Sequence, residues 1–173
     1  LYESGRIVTM TMTERTSFIA AVHRRKTIHE AGHAVAAVSR GGRLVRFDVP
    51  FDDFEDKADA VGQPLVTHDS DPHDHAFITY AGVWVTARWM VEHEPDVGDL
   101  REALDYAIAE HSGPGSDAAK LRAAGVDLDA PHDEWDTELA RLWPAVGRVA
   151  DRFIDSGRID HAEIAAILQG GRT

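Results

Sequence analysis

Cysteine is absent from all 173 residues. That excludes a disulfide framework and a thiolate zinc cluster, so any metal site must be built from His, Asp and Glu. The same absence suits a cytoplasmic protein. Basic charge is also short: 18 Lys and Arg stand against 30 Asp and Glu, for a formal net charge of −12. A surface of that sign repels nucleic acid and anionic lipid at long range, and no nucleic-acid partner is expected. Long apolar runs are missing as well. The longest, AFITYAGVWVTARWMV from Ala76 to Val91, is interrupted by Thr79, Thr86 and Arg88. It falls short of the roughly 20 residues a membrane span requires, and it reads as a buried helix. The chain holds no GxxxxGK[ST] phosphate loop, no internal repeat and no low-complexity tract.

What remains is a chain of single-domain length with strong helix punctuation. Residues 1–12 read as a tag or an upstream extension, leaving 13–173 as one domain. Thr13 offers an N-cap to a helix expected from about Glu14 to Arg40, closed by the pair Gly41 and Gly42. RLVRFDVPF, from Arg43 to Phe51, alternates apolar and polar, and VGQPLVTH, from Val61 to His68, is a second extended run. The two are expected to pair as a small sheet, with Pro64 placing the second strand on an edge. Asp71 and Pro72 launch a second helix to about Val91. Further helices are expected over Asp99 to His111, Ser116 to Ala124, Glu134 to Asp155 and Ile159 to Leu168. The fold class is therefore mainly α with a small β-hairpin or sheet.

The chemistry concentrates in HEAGHAVAA, His29 to Ala37. Residues four apart on a helix lie nearly above one another, so His29 and His33 can aim two imidazoles at one cation about 2 Å away. Glu30 sits about 100° around from His29, beside such a metal, where it can polarise a water on an open fourth position. Gly32 leaves room beside the site. Two histidines and a glutamate also fall into this register by chance on solvated helices. Here, however, Ile28, Ala31, Ala34, Val35 and Ala37 mark a buried helix, where bare histidines are poor company unless something ligates them.

The run TIHEAGHAVAA resembles the zinc-binding helix of the peptidase domain of FtsH-type membrane-anchored AAA proteases. The resemblance continues through the strand over Gly62 to Thr67, through Ala81-Gly82 where the family has a Gly-Gly, through GDLREALDYA from Gly98, and through the C-terminal LWPAVGRVADRFIDSGRIDHAEIAAIL. It spans about His23 to Leu168 and is densest at the zinc helix. It implies a multihelical, zincin-like metallopeptidase domain in which His29 and His33 bind Zn2+, Glu30 is the general base and Asp99 is the third ligand. Asp117, in GPGSDAAKLRAA, is the rival third ligand, and His111 a further candidate. For either aspartate the plain alternative is a helix N-cap. The chain departs from the family in two respects. VWVTARW carries only Thr86 and Arg88 where the family usually has glutamates supporting the zinc, and no ATPase module accompanies the peptidase region. The implied substrates are flexible or unfolded proteins or peptides; the sequence does not specify whether a separate ATPase unfolds them or whether the chain forms a homo-oligomer.

HDSDPHDH, His68 to His75, holds three histidines and three aspartates, a second metal cluster or a solvated loop capping the next helix. Phe77, Tyr80, Trp84 and Trp89 follow helical spacing and are expected in the core. The alternative to a peptidase is a regulatory or binding module, its zinc closed by a fourth protein ligand such as His111 or devoted to one protein partner.

Overall fold

The computed structural model describes residues 12–48, 65–110 and 112–171. Helix α1 spans Met12–Ser39, strand β1 Arg43–Phe47 and strand β2 Val66–Asp69. A 3-10 turn over Pro72–Asp74 leads into α2 (His75–His93), followed by α3 (Leu100–Glu110), α4 (Asp117–Ala123), α5 (Asp133–Ser156) and α6 (His161–Gly170). The mainly helical architecture with a small antiparallel sheet is as the sequence predicts. Of the expected extension over residues 1–12, Met12 belongs to α1, and the rest, like the edge role of Pro64 and the ligand candidate His111, lies outside the described residues.

Helix α2 is the hub. Its run from Phe77 to Ala87 is buried almost all round, because α1, α3, α4 and α5 pack on successive faces of it. The apolar block is thus covered by other helices, and no helix among the described residues is long and apolar enough to cross a membrane. Phe77, Tyr80, Trp84 and Trp89 are all core residues. Tyr80 also donates a 2.9 Å hydrogen bond to Asp136, tying α2 to α5. Alanines at 31, 34, 36 and 37 are fully buried and let α1 approach α2 closely. Gly32 serves this crossing as well as the site: a Cβ there would lie 3.0 Å from the Ala81 carbonyl oxygen of α2 and against Val85.

At the end of α1, Gly41 adopts φ +83, a left-handed conformation that costs glycine little, and the chain reverses into β1. The strands are antiparallel, with Leu44 opposite His68 and Phe47 opposite Val66. The ladder is irregular between Leu44 and Arg46, and the extra residue, Val45, is 60 % exposed. Strand β1 is Arg43–Phe47, with one more bond, Asp48 N–H to Leu65 O at 2.9 Å, extending the pairing; the part of the expected run from 49 to 51 lies outside the described residues. In α5 the helical-spacing run Leu139, Leu142, Val146, Val149 and Phe153 faces the core, four of the five buried and Leu142 partly so. The helix continues through Pro144, whose breaking tendency is outweighed by packing of that amphipathic face.

Candidate metal centre

His29 and His33 project from one face of α1, their rings edge to face with centroids 4.7 Å apart. Each ring is fixed through its Nδ1. The carbonyl of Ile78 can only accept, so the 2.8 Å contact with His33 Nδ1 is a hydrogen bond donated by the ring. Thr86 spends its hydroxyl proton on the Gly82 carbonyl at 2.9 Å. Its oxygen is thereby left to accept from His29 Nδ1, 3.0 Å away. With both Nδ1 atoms protonated, a neutral ring presents a bare Nε2 lone pair to the space between the two histidines. The absence of a Cβ at Gly82 makes this possible, since one placed there would overlap the His33 ring and press on His29 Cε1 at 3.0 Å.

The third group is Asp117. Gly115, at φ +77, turns the chain, and Ser116 caps α4 by accepting from Ala119 N–H at 3.3 Å. Because Ser116 does the capping, the carboxylate of Asp117 is free for other work. It is buried, and its Oδ2 lies 3.0 Å from His29 Nε2 and 3.0 Å from His33 Nε2, which are themselves 3.1 Å apart. Oδ1 meets Lys120 at 3.0 Å.

Two imidazole nitrogens and a carboxylate oxygen thus form a nearly equilateral triangle of acceptors. A tetrahedral zinc with bonds of about 2.0–2.1 Å separates its ligand atoms by roughly 3.3–3.4 Å, so the observed triangle fits such an ion after a relaxation of a few tenths of an ångström. Three acceptors at this spacing repel one another unless a cation or a proton lies among them. The electrostatics point the same way. Burial opposes charging His33, but the charge and hydrogen bond of Asp117, with smaller help from Glu30 and Ile78 O, raise its pKa to about 9. Burial likewise opposes ionising Asp117, yet the two histidines hold its carboxyl well below the usual range. The triangle is a site for positive charge. Among the described residues, His29, His33 and Asp117 are the group able to hold a metal ion.

Glu30 stands outside the triangle and beside it. Burial raises its pKa above the ordinary carboxylate value, the nearby His33 partly offsetting the effect. It lines a cavity of about 310 Å³ together with His29, His33, Asp117, Val66 and His68. A second cavity of about 440 Å³, also lined by His29 and Glu30, opens toward Arg25 and Lys26.

Asp99, expected as third ligand, is not in the group. Its Oδ1 accepts from Glu102 N–H at 2.9 Å, capping α3. No Ser or Thr precedes it to take over that duty, and the cap holds Asp99 at the start of α3, outside the converging group. The structure brings Asp117 to the histidines instead. Thr86, whose polarity looked too weak to support a metal site, orients His29, whereas Arg88 turns away to pair with Glu92 at 2.8 Å. The HDSDPHDH cluster does not converge. Asp71 caps the 3-10 turn through His73 N–H at 2.9 Å, and His75 Nε2 faces the Ser70 carbonyl at 3.2 Å. His68 alone of that stretch reaches the cavity beside Glu30. Compared with protein-family models, with curated proteins and with solved structures, the chain matches none of them.

Proposed function

We propose that this chain is a zinc-dependent metalloendopeptidase acting on flexible or unfolded protein segments, with His29, His33 and Asp117 as metal ligands and Glu30 as general base. The observation that carries the reading is the triangle of acceptors with an ionisable, partly desolvated carboxylate next to it in an open cleft. The donor set suits zinc: two imidazoles oriented by outer hydrogen bonds and one carboxylate oxygen, beside a cavity, with no fourth protein ligand among the described residues. With Asp117 and Glu30 ionised, the charge of a divalent ion is balanced. The resemblance of TIHEAGHAVAA to the FtsH-type zinc helix is the second support.

A zinc ion at this site supplies Lewis acidity, lowering the pKa of water and polarising a carbonyl oxygen. The remaining steps belong to the chain's own residues. Glu30 accepts the proton released when water attacks the scissile carbonyl, and returns it to the departing amine nitrogen. Its raised pKa suits both roles, since a stronger acid would hold the proton too weakly and a stronger base would not release it. Thr86 and the Ile78 carbonyl hold the two imidazoles in the tautomer that carries its proton on Nδ1 and turns the Nε2 lone pair toward the ligand triangle. Strand β2 is paired on one side only among the described residues, and Val66 and His68 line the cavity. A peptide adding to that strand would be read through its backbone, which favours extended, unfolded substrates over folded ones.

Metal removal tests the reading. After dialysis against a chelator, the chain is expected to lose cleavage of an unstructured substrate such as casein, and one equivalent of zinc is expected to restore it. Equal cleavage before and after chelation, or an intact substrate with the zinc-loaded chain, would overturn the assignment.

A further inference from the structure

The side chains around the cavity divide into those already committed and those left over. His29 and His33 are held through Nδ1 and face Asp117, Thr79 donates to the His75 carbonyl at 2.8 Å, Ser116 caps α4, and Lys120 pairs with Asp117. Glu30 and His68 remain. Glu30 has a role in the reaction proposed above; His68 has none. It is not a ligand, since its ring nitrogens do not join the three atoms that converge.

Its placement is nonetheless definite. The alternation of β2 puts Val66 and His68 on the same face, the one that lines the cavity. The ring packs edge-on against His75 with centroids 5.5 Å apart, which restricts its swing. Its Nδ1 is buried and meets no hydrogen-bond partner among the described residues. A peptide cannot reach an atom so enclosed, so contact between this cavity-lining ring and a ligand falls to Nε2, which is not buried in this way. Burial first, then the neighbouring His75 and His33, push its pKa below the ordinary histidine value, which favours the neutral ring with one N–H donor and one bare nitrogen.

We propose that His68 is a substrate-contacting residue, whose imidazole donates a hydrogen bond to a backbone carbonyl of the peptide lying along β2 and fixes that peptide against Glu30 and the ligand triangle. The inference rests on the metallopeptidase reading and adds a specific role to it: selection for a peptide backbone beside the metal rather than for any zinc-seeking small molecule. A neutral donor suits this task, since a charged ring here would compete with the cation of the triangle.

Two hydroxamates separate the possibilities. Acetyl-Pro-Leu-Gly hydroxamate carries backbone carbonyls and acetohydroxamate carries none, while both seek zinc through the same group. Binding of each to the zinc-loaded chain would be measured by calorimetry for wild type, His68→Ala and His68→Gln, alongside zinc content and thermal melting. Loss of one hydrogen bond is expected to weaken the peptide hydroxamate about tenfold in His68→Ala, with acetohydroxamate unchanged and one zinc per chain throughout. His68→Gln, which keeps an N–H donor, should recover a large part of the loss. Unchanged affinity for the peptide hydroxamate in His68→Ala would overturn the proposal. So would an equal weakening of both probes, which would mean that His68 shapes the site rather than contacts the peptide. If zinc-loaded wild type binds neither hydroxamate, the metallopeptidase reading itself falls, and this inference with it.

Discussion

Glu30→Gln is expected to retain one zinc per chain and to lose cleavage by about 10²- to 10⁴-fold, the range that a positioned general base contributes. Glutamine has the shape of glutamate but no basic oxygen. Because Glu30 lies outside the acceptor triangle, its replacement removes the proton acceptor and leaves the metal's ligands in place. The stability consequence has a definite sign. Burial raises the folded-state pKa of Glu30 above its unfolded value, so its contribution is favourable below the unfolded pKa and is lost as pH rises through the folded one. At neutral pH, above the unfolded pKa, burying this carboxyl is therefore a cost to the fold, and the glutamine variant should melt no lower than wild type. A variant that lost both zinc and cleavage would make Glu30 a ligand, and one that kept both would remove it from the reaction.

The second large effect separates two aspartates. Asp117→Asn is expected to weaken zinc binding by roughly 10²- to 10³-fold, one ligand's share of the free energy with which proteins hold structural zinc, and to abolish cleavage at limiting metal. Asp99→Ala should leave zinc affinity and cleavage unchanged. Its cost is the loss of a helix cap, about 1 kcal/mol, seen as a melting temperature lower by roughly 2–4 °C for a domain of this size. Competitive titration against a chromophoric chelator reads both variants. Retention of full affinity by Asp117→Asn, with loss in Asp99→Ala, would reverse the ligand assignment.

The sequence makes the histidine pair legible because helical spacing is a local property: once TIHEAGHAVAA is helical, both rings share a face whatever else the chain does. The third ligand is a tertiary matter, and both aspartates sit at the start of a helix after a glycine-containing turn. What separates them is nevertheless written in the chain. Ser116 stands directly before Asp117 and takes the capping bond, whereas Gly98 stands before Asp99 and cannot. The support Thr86 gives His29 is not legible in the sequence because it depends on Gly82, one turn earlier on the same helix, accepting its hydroxyl proton. Gly82 itself looked like half of a small-residue pair, and its closeness to the His33 ring appears only when α1 and α2 are packed together. The place of His68 likewise depends on long-range pairing, since the register with Leu44 decides which face of β2 looks into the cleft. The helices of the second half were legible for the opposite reason. In α5 the apolar stripe from Leu139 to Phe153 is strong enough to carry the helix through Pro144.

X-ray absorption at the zinc edge of the zinc-loaded chain addresses the metal centre directly. One zinc per chain is predicted, with two imidazoles in its shell and the remaining ligands light oxygen atoms, all at about 2.0–2.2 Å. A chain that retains no stoichiometric zinc, or a shell containing fewer than two imidazoles, would contradict the account.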